Sequence, residues 1–480
     1  MTSDGQSVER LREYLRTLKP EARSMLVQEL ERGLLRGDDS PGNQFVLDEL
    51  RLTIRAKAQP VPRIGDAARL FFTPFEPFLF DGPADHKRIG RIARVSLDPI
   101  WRWIGRDLMP AEAQVLGDDI NRALLADDRA RAEQVVRALH DRAILRLRDT
   151  LSAAGKDEQA QRRLAIQVGT PRAIEDIATL LHVLEIRDVL ADLAKRLPAN
   201  IRVFERGVVD QAKMHLDTAS SAKSLGADAG RKNELIRYGL IMLMNRMTSP
   251  WQLIRVATRA ADSDDTARIA ETPFATAVSL VLGELEATVS NLRKEFKADQ
   301  SVTSILKELH DAARGMRTEI DLSADSAWSR QLAAIRGDVS NLLRPEIDAT
   351  PGRVRRLLRP PPAKDIAPRS TVNSADIDEV EARVEFVCIC RNYAGELALS
   401  EVTLRVYTEL TQYLEVGTNV LLDTLRHAGD TDRLFRQSQV DAAIRFCRMI
   451  FGNDYAGTLA KAADVAAQAA IAEKKQALRA

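Results

Sequence analysis

Apolar positions along this chain recur at intervals of three and four residues through almost its whole length, the periodicity of helices packed on one face. Leu11, Leu15 and Leu18, then Leu26, Leu30, Leu34 and Leu35, form two such sets interrupted at Pro20, which predicts a helical hairpin over 8–35. A loop over 37–43 (GDDSPGN) follows, and FVLDELRLTIRA resumes a helix that must stop before Pro60 and Pro62, because the residue ahead of a proline is pushed out of helical geometry. Downstream, the pattern predicts helices near 99–108, 110–125, 127–153, 157–167, 171–196, 200–224, 229–247, 250–262, 273–297, 301–319 and 324–348. Four more are predicted at 375–398, 400–427, 431–451 and 454–476. Asp98-Pro99, Thr170-Pro171, Ser249-Pro250 and Thr272-Pro273 each set a capping side chain before a proline suited to the first helical position. Only Val384–Cys390 competes as a strand. The fold class expected is therefore all-α, an elongated array of hairpins and bundles.

Proline subdivides the array. Ten of the nineteen prolines fall in two windows, 60–83 and 351–368. The second window holds Pro360, Pro361 and Pro362, which favour an extended conformation and predict a linker over 349–374 ahead of a separate C-terminal helical domain, 375–480. The remaining segments are an N-terminal hairpin region (1–58), a Pro- and aromatic-rich connecting segment (59–106) and a central array (107–348). TPRAIEDIATLLHVLE at Thr170 and TPFATAVSLVLGELEA at Thr272 resemble each other; an internal duplication would favour stacked repeats, but a shared start signal and leucine pattern explain the likeness better. The last helix is Ala-rich, which suits either a close partner contact or a fraying tail.

Composition narrows the classes. Charged residues make up 29% of the chain, yet the formal net charge is +1, so no global positive field marks it as a nucleic-acid binder. Arg outnumbers Lys 55 to 15, a usage typical of GC-rich bacterial genomes. Three cysteines cannot build a disulfide framework. The polar start lacks the apolar core of a signal peptide, and the longest strongly apolar run, GLIMLM at 239–244, is far short of the about 20 residues of a membrane span. A cytosolic protein is expected.

Catalytic signatures do not emerge. The phosphate-binding loop, the dinucleotide fingerprint, the nucleophile turn and the zinc-binding HExxH helix are all missing, and no histidine has Glu three residues before it, as a helical di-iron centre would require. Cys388 and Cys390 form C-x-C in apolar surroundings without a second pair, which favours burial over zinc. His140 and His182 lie in leucine-rich helices. His86, beside Lys87 and Arg88, is the one histidine with a candidate role, and Asp423 with His427 is explained by a local ion pair. No catalytic residue, metal ligand or cofactor is implied.

The chemistry concentrates instead in 71–106, where Phe71, Phe72, Phe75, Phe78, Phe80, Trp101 and Trp103 accompany the basic residues Lys87, Arg88, Arg91 and Arg94. Rings on a proline-broken segment must be buried. They either plug a groove between the chain's own helices or stay exposed to anchor a protein or a bilayer surface. These are the candidate partner-binding residues, with a second basic patch at Arg353, Arg355, Arg356 and Arg359. The expected function is a non-catalytic scaffold, adaptor or regulatory interaction protein with one or more protein partners. A peripheral membrane or tethering protein using 71–106 is the alternative, and a helical enzyme with an unrecognised site the third. Nucleic acid is disfavoured, and homo-oligomerisation stays open.

Overall fold

The computed structural model describes residues 66–85, 88–226, 228–296, 302–323 and 325–477, with scattered positions before residue 51. The expected N-terminal hairpin and the helix from Phe45 lie largely outside the described residues, as do His86 and Lys87. The chain is an all-α, multi-helix array divided into two compact units, Met1–Gly283 and Glu284–Ala480, the division falling within helix α11.

The first unit runs α1 (Asp66–Phe72), α2 (Leu97–Trp103), α3 (Pro110–Leu125), α4 (Arg129–Lys156), α5 (Glu158–Val168), α6 (Ala173–Arg196), α7 (Arg206–Ser220), α8 (Ala229–Met244), α9 (Ile254–Ala261), α10 (Thr266–Ala270) and the start of α11 (Thr276–Glu295). Its core helix is α8. Every residue from Leu235 to Met244 except the half-buried Arg237 is buried, which accounts for the GLIMLM run: a helix surrounded by α6, α7 and the turn at 73–78 is apolar around its circumference. Among the described residues no helix is long and apolar enough to cross a membrane. Gly239 sits where α8 meets its neighbours; a Cβ there would fall 2.4 Å from Leu216 Cδ2 and 3.0 Å from Leu193 Cδ2. The C-terminal end of α6 is held by Arg246, whose Nη1 donates to the carbonyls of Ala194, Leu197 and Pro198 at 2.8 to 3.2 Å.

The second unit contains α12 (Thr303–Glu319), α13 (Ala327–Leu358), α14 (Ser374–Asn392), α15 (Ser400–Arg426), α16 (Arg433–Phe451) and α17 (Asn453–Ala477). The 32-residue α13 packs on α14, α15 and α16, and α17 packs on α15 and α16. Small residues let α17 approach closely: Ala456, Leu459, Ala463 and Ala466 are buried, so the described part of the Ala-rich helix is an internal bundle helix.

Three local expectations are corrected. The linker expected from 349 is helical to Leu358: Pro345 and Pro351 both lie inside α13, and Pro351 is buried in the bundle, so packing overrides the lost backbone donor. Val384–Cys390 belongs to α14. None of the four capping residues ahead of proline makes a side-chain cap. Thr170 Oγ1 instead donates to Asp176 Oδ2 at 3.0 Å and Thr272 Oγ1 to the Ile269 carbonyl at 2.9 Å, so the two Thr-Pro starts are built differently. Ser249 and Thr272 do precede short 3-10 turns with proline at the first positions.

Candidate functional site

The aromatic-basic stretch is internal to the first unit. Pro74 and Pro77 turn the backbone into a 3-10 segment, Thr73–Phe78, which leads into β1 (Leu79–Phe80), paired in parallel with β2 (Ile92–Ala93). This irregular path turns every phenylalanine inward. Phe71, Phe75 and Phe78 are at most 1% exposed, and Phe72 and Phe80 are buried with them. The rings stack edge to face, Phe71 on Phe72 at 5.2 Å, Phe72 on Phe75 at 5.9 Å and Phe78 on Tyr238 of α8 at 5.0 Å. His140 Nε2 meets the Phe71 carbonyl at 2.9 Å, and burial pushes its pKa down to about 4, so it is a neutral structural histidine.

These five phenylalanines and Trp103 are therefore core residues, a correction to the partner-binding role expected of them. Each buried ring contributes on the order of 2 to 3 kcal/mol, more than exposure on a loop could offset. Trp101 is half-buried, 5.3 Å from Phe71. The three described arginines serve the same plug. Arg94 pairs with Glu76 at 2.8 Å and Asp81 at 3.2 Å, Arg91 Nη2 donates to Asn245 Oδ1 at 2.8 Å, and the Arg88 guanidinium lies 4.8 Å from the centre of the Phe80 ring. Asn245 Nδ2 in turn donates to the Pro77 carbonyl at 2.6 Å. Gly90, at φ +65°, lets the backbone pass over α8, where a Cβ would fall 2.8 Å from Ile241 Cδ1.

A pocket of about 200 Å³ opens between α6 and the first turns of α8, with His182, Glu185, Arg231 and Glu234 among its lining. Its charges answer one another. Glu185 pairs with Arg148 at 2.5 Å and Arg231 at 3.5 Å, and Glu234 pairs with Arg237 at 2.8 Å, with His182 Nδ1 3.5 Å from Glu234 Oε2. Asp228 caps α8 through the Gly230 amide at 2.8 Å. Among the described residues, no group of three or more His, Cys, Asp or Glu is placed to hold a metal ion. Burial pushes the thiols of Cys388, Cys390 and Cys447 up to about 11, 12 and 12, far from nucleophilic thiolates at neutral pH. His427 Nδ1 lies 2.9 Å from the Asp423 carbonyl oxygen and 3.7 Å from Asp423 Oδ1.

The second unit carries the more distinctive arrangement. Between Leu358 and Ser374 lies an ordered strap, 359–373, laid against α16. Gln439 Nε2 donates to the carbonyls of Leu357 and Arg359 at 3.2 and 3.3 Å, Arg436 Nη2 donates to the Pro361 carbonyl at 2.6 Å, and the Val372 amide donates to Ser438 Oγ at 2.9 Å. Arg436 is itself held by Asp432, Nε to Oδ2 at 3.3 Å, both side chains only 7% exposed. Pro361 offers its carbonyl with no amide of its own to satisfy, so its backbone is fully paired by the Arg436 donor. Ile366 of the strap is buried.

Of the expected basic patch, Arg353 and Arg355 are used internally, paired with Glu379 and with Glu409. Arg356 and Arg359 are exposed, as are Lys364 and Arg369 on the strap. The proline run and basic residues were visible in the sequence. Asp432, Arg436, Ser438 and Gln439 were not, because DRLFRQSQV has the composition of an ordinary solvated helix face. The chain matches no protein-family model, no curated protein and no solved structure.

Proposed function

We propose that the chain is a non-catalytic helical scaffold or adaptor of the cytosol, and that the strap over α16 is the surface through which it binds another protein. The strap itself carries this conclusion. Helices that pack on each other, as α13 and α14 do, are ordinarily joined by about 2 to 8 residues, and longer ordered loops usually hold a function. Here fifteen residues intervene, fixed by side chains buried in α16. A rigid, exposed segment loses little conformational freedom on binding. The experiment is site-specific photo-crosslinking in cell extract from Ala363 or Ala367, both exposed on the strap, with exposed Leu404 of α15 as control. A discrete protein adduct from the strap positions alone is expected; equal adducts from Leu404, or none from the strap, would contradict the proposal.

A further inference from the structure

We infer that the strap takes an acidic, extended partner segment, an assignment that rests on the strap being the binding surface. The charge distribution is the first observation. Five arginines of the bundle have carboxylate partners, Arg353 with Glu379, Arg355 with Glu409, Arg383 with Glu346, Arg405 with Asp348 and Arg445 with Glu381, while the exposed Arg344 and Arg448 have none among the described residues. Arg356, Arg359, Lys364 and Arg369 have none among the described residues, and the one acid between 356 and 373 is Asp365. Beyond Arg356 in the last turn of α13, the strap carries three exposed cations, Arg359, Lys364 and Arg369, five residues apart in sequence, against the single exposed acid Asp365.

Backbone geometry is the second, independent observation. Ala367–Ser370 is a tight turn closed by the Ser370 amide on the Ala367 carbonyl at 3.1 Å, with Pro368 in its second position and Arg369 in its third at φ +60°. Glycine or asparagine fits that third position without strain, and arginine does not. A strained residue held at an exposed tip points to a role for its side chain.

The surroundings select among polyanions. No aromatic residue occurs between 356 and 373, Ile366 is buried and none of the exposed large apolar side chains lies in 359–373, so the strap itself offers no ring to stack on bases and no large apolar group to enter a bilayer interface. Guanidinium and ammonium groups on a pre-ordered backbone suit the carboxylates of an acidic peptide.

The test is fluorescence anisotropy with a labelled decapeptide of alternating Glu and Gly, against the full chain and its variant R356Q/R359Q/K364Q/R369Q, with thermal unfolding followed in parallel. Wild type should bind, more weakly as salt rises, and the variant should lose roughly tenfold or more in affinity at unchanged Tm, four exposed charge contacts being removed. Arg369→Asn should raise Tm while weakening the peptide, a combination that a merely structural arginine would not give. Equal peptide binding by wild type and variant overturns the inference. So does charge-dependent binding of phosphatidylserine vesicles or oligo-dT with no binding of the peptide. If the peptide fails while strap positions still crosslink to a protein, the strap remains the surface and only the acidic class falls; if both fail, both fall.

Discussion

Arg436 Nη2 lies 2.6 Å from the carbonyl oxygen of Pro361, so a guanidinium buried on α16 grips the middle of the three-proline run. Its other anchor, Asp432, is equally buried. Breaking a buried pair from one side leaves an uncompensated charge, which costs about 3 to 5 kcal/mol, whereas replacing both partners is far milder. Arg436→Ala should therefore lower the denaturation midpoint substantially, and Asp432→Ala combined with Arg436→Ala should recover a good part of the loss. Urea unfolding of the three chains decides it.

Phe78, edge-on to Tyr238, makes the parallel case in the first unit. Phe78→Ala is expected to cost about 3 to 5 kcal/mol because it opens a cavity in a closed core. Phe75, Phe78 and Phe80 replaced together by Ser should abolish folding of the unit, visible as loss of the near-UV circular dichroism signal.

Gly239 gives a test with opposing effects. Alanine is the better helix former by about 1 kcal/mol, yet its methyl group would press on Leu216 and Leu193. Overpacking of this kind costs about 1 to 3 kcal/mol, so Gly239→Ala should destabilise by calorimetry despite its helix propensity.

Two buried groups in the first unit give opposite pH dependences. Burial holds His140 neutral with a pKa near 4, so as pH falls from about 6.5 to about 4 the unfolded chain takes up a proton that the folded one refuses, and stability drops. Burial raises Asp176 to about 6 despite its bond from Thr170. Its carboxylate is therefore penalised above that pH, and stability rises as the group protonates between about 6 and 4. Each effect is on the order of 3 kcal/mol. Asp176→Asn should be more stable than wild type at pH 7.5 and lose stability more steeply on acidification, while His140→Gln should show the reverse slope. Urea titrations from pH 7.5 to 4.5 measure both.

The helical architecture was legible because each helix writes its period locally. The expectations 110–125, 157–167, 400–427 and 431–451 fall within two residues of α3, α5, α15 and α16 at each end. What failed depended on tertiary packing. Pro351 reads as a stop but fits inside α13, where surrounding helices supply the stability lost with its amide. The phenylalanines at 71–80 stand out in the sequence, but whether a ring faces α8 or solvent is not encoded in its own neighbours. In the strap the prolines were visible and the partners were not, since Arg436 and Gln439 lie some 75 to 80 residues away from the carbonyls they bind at Pro361 and Arg359.

Hydrogen exchange across 359–373, followed by mass spectrometry, separates an ordered strap from a free linker. The amides of Asp365, Ile366, Ser370 and Val372 all donate within the structure. In the wild-type chain they should exchange far more slowly than a coil of the same sequence, and Arg436→Ala with Gln439→Ala should release that protection. Exchange of all four at coil rates in the wild type would show that α16 does not hold the strap and would remove the basis of the proposed surface.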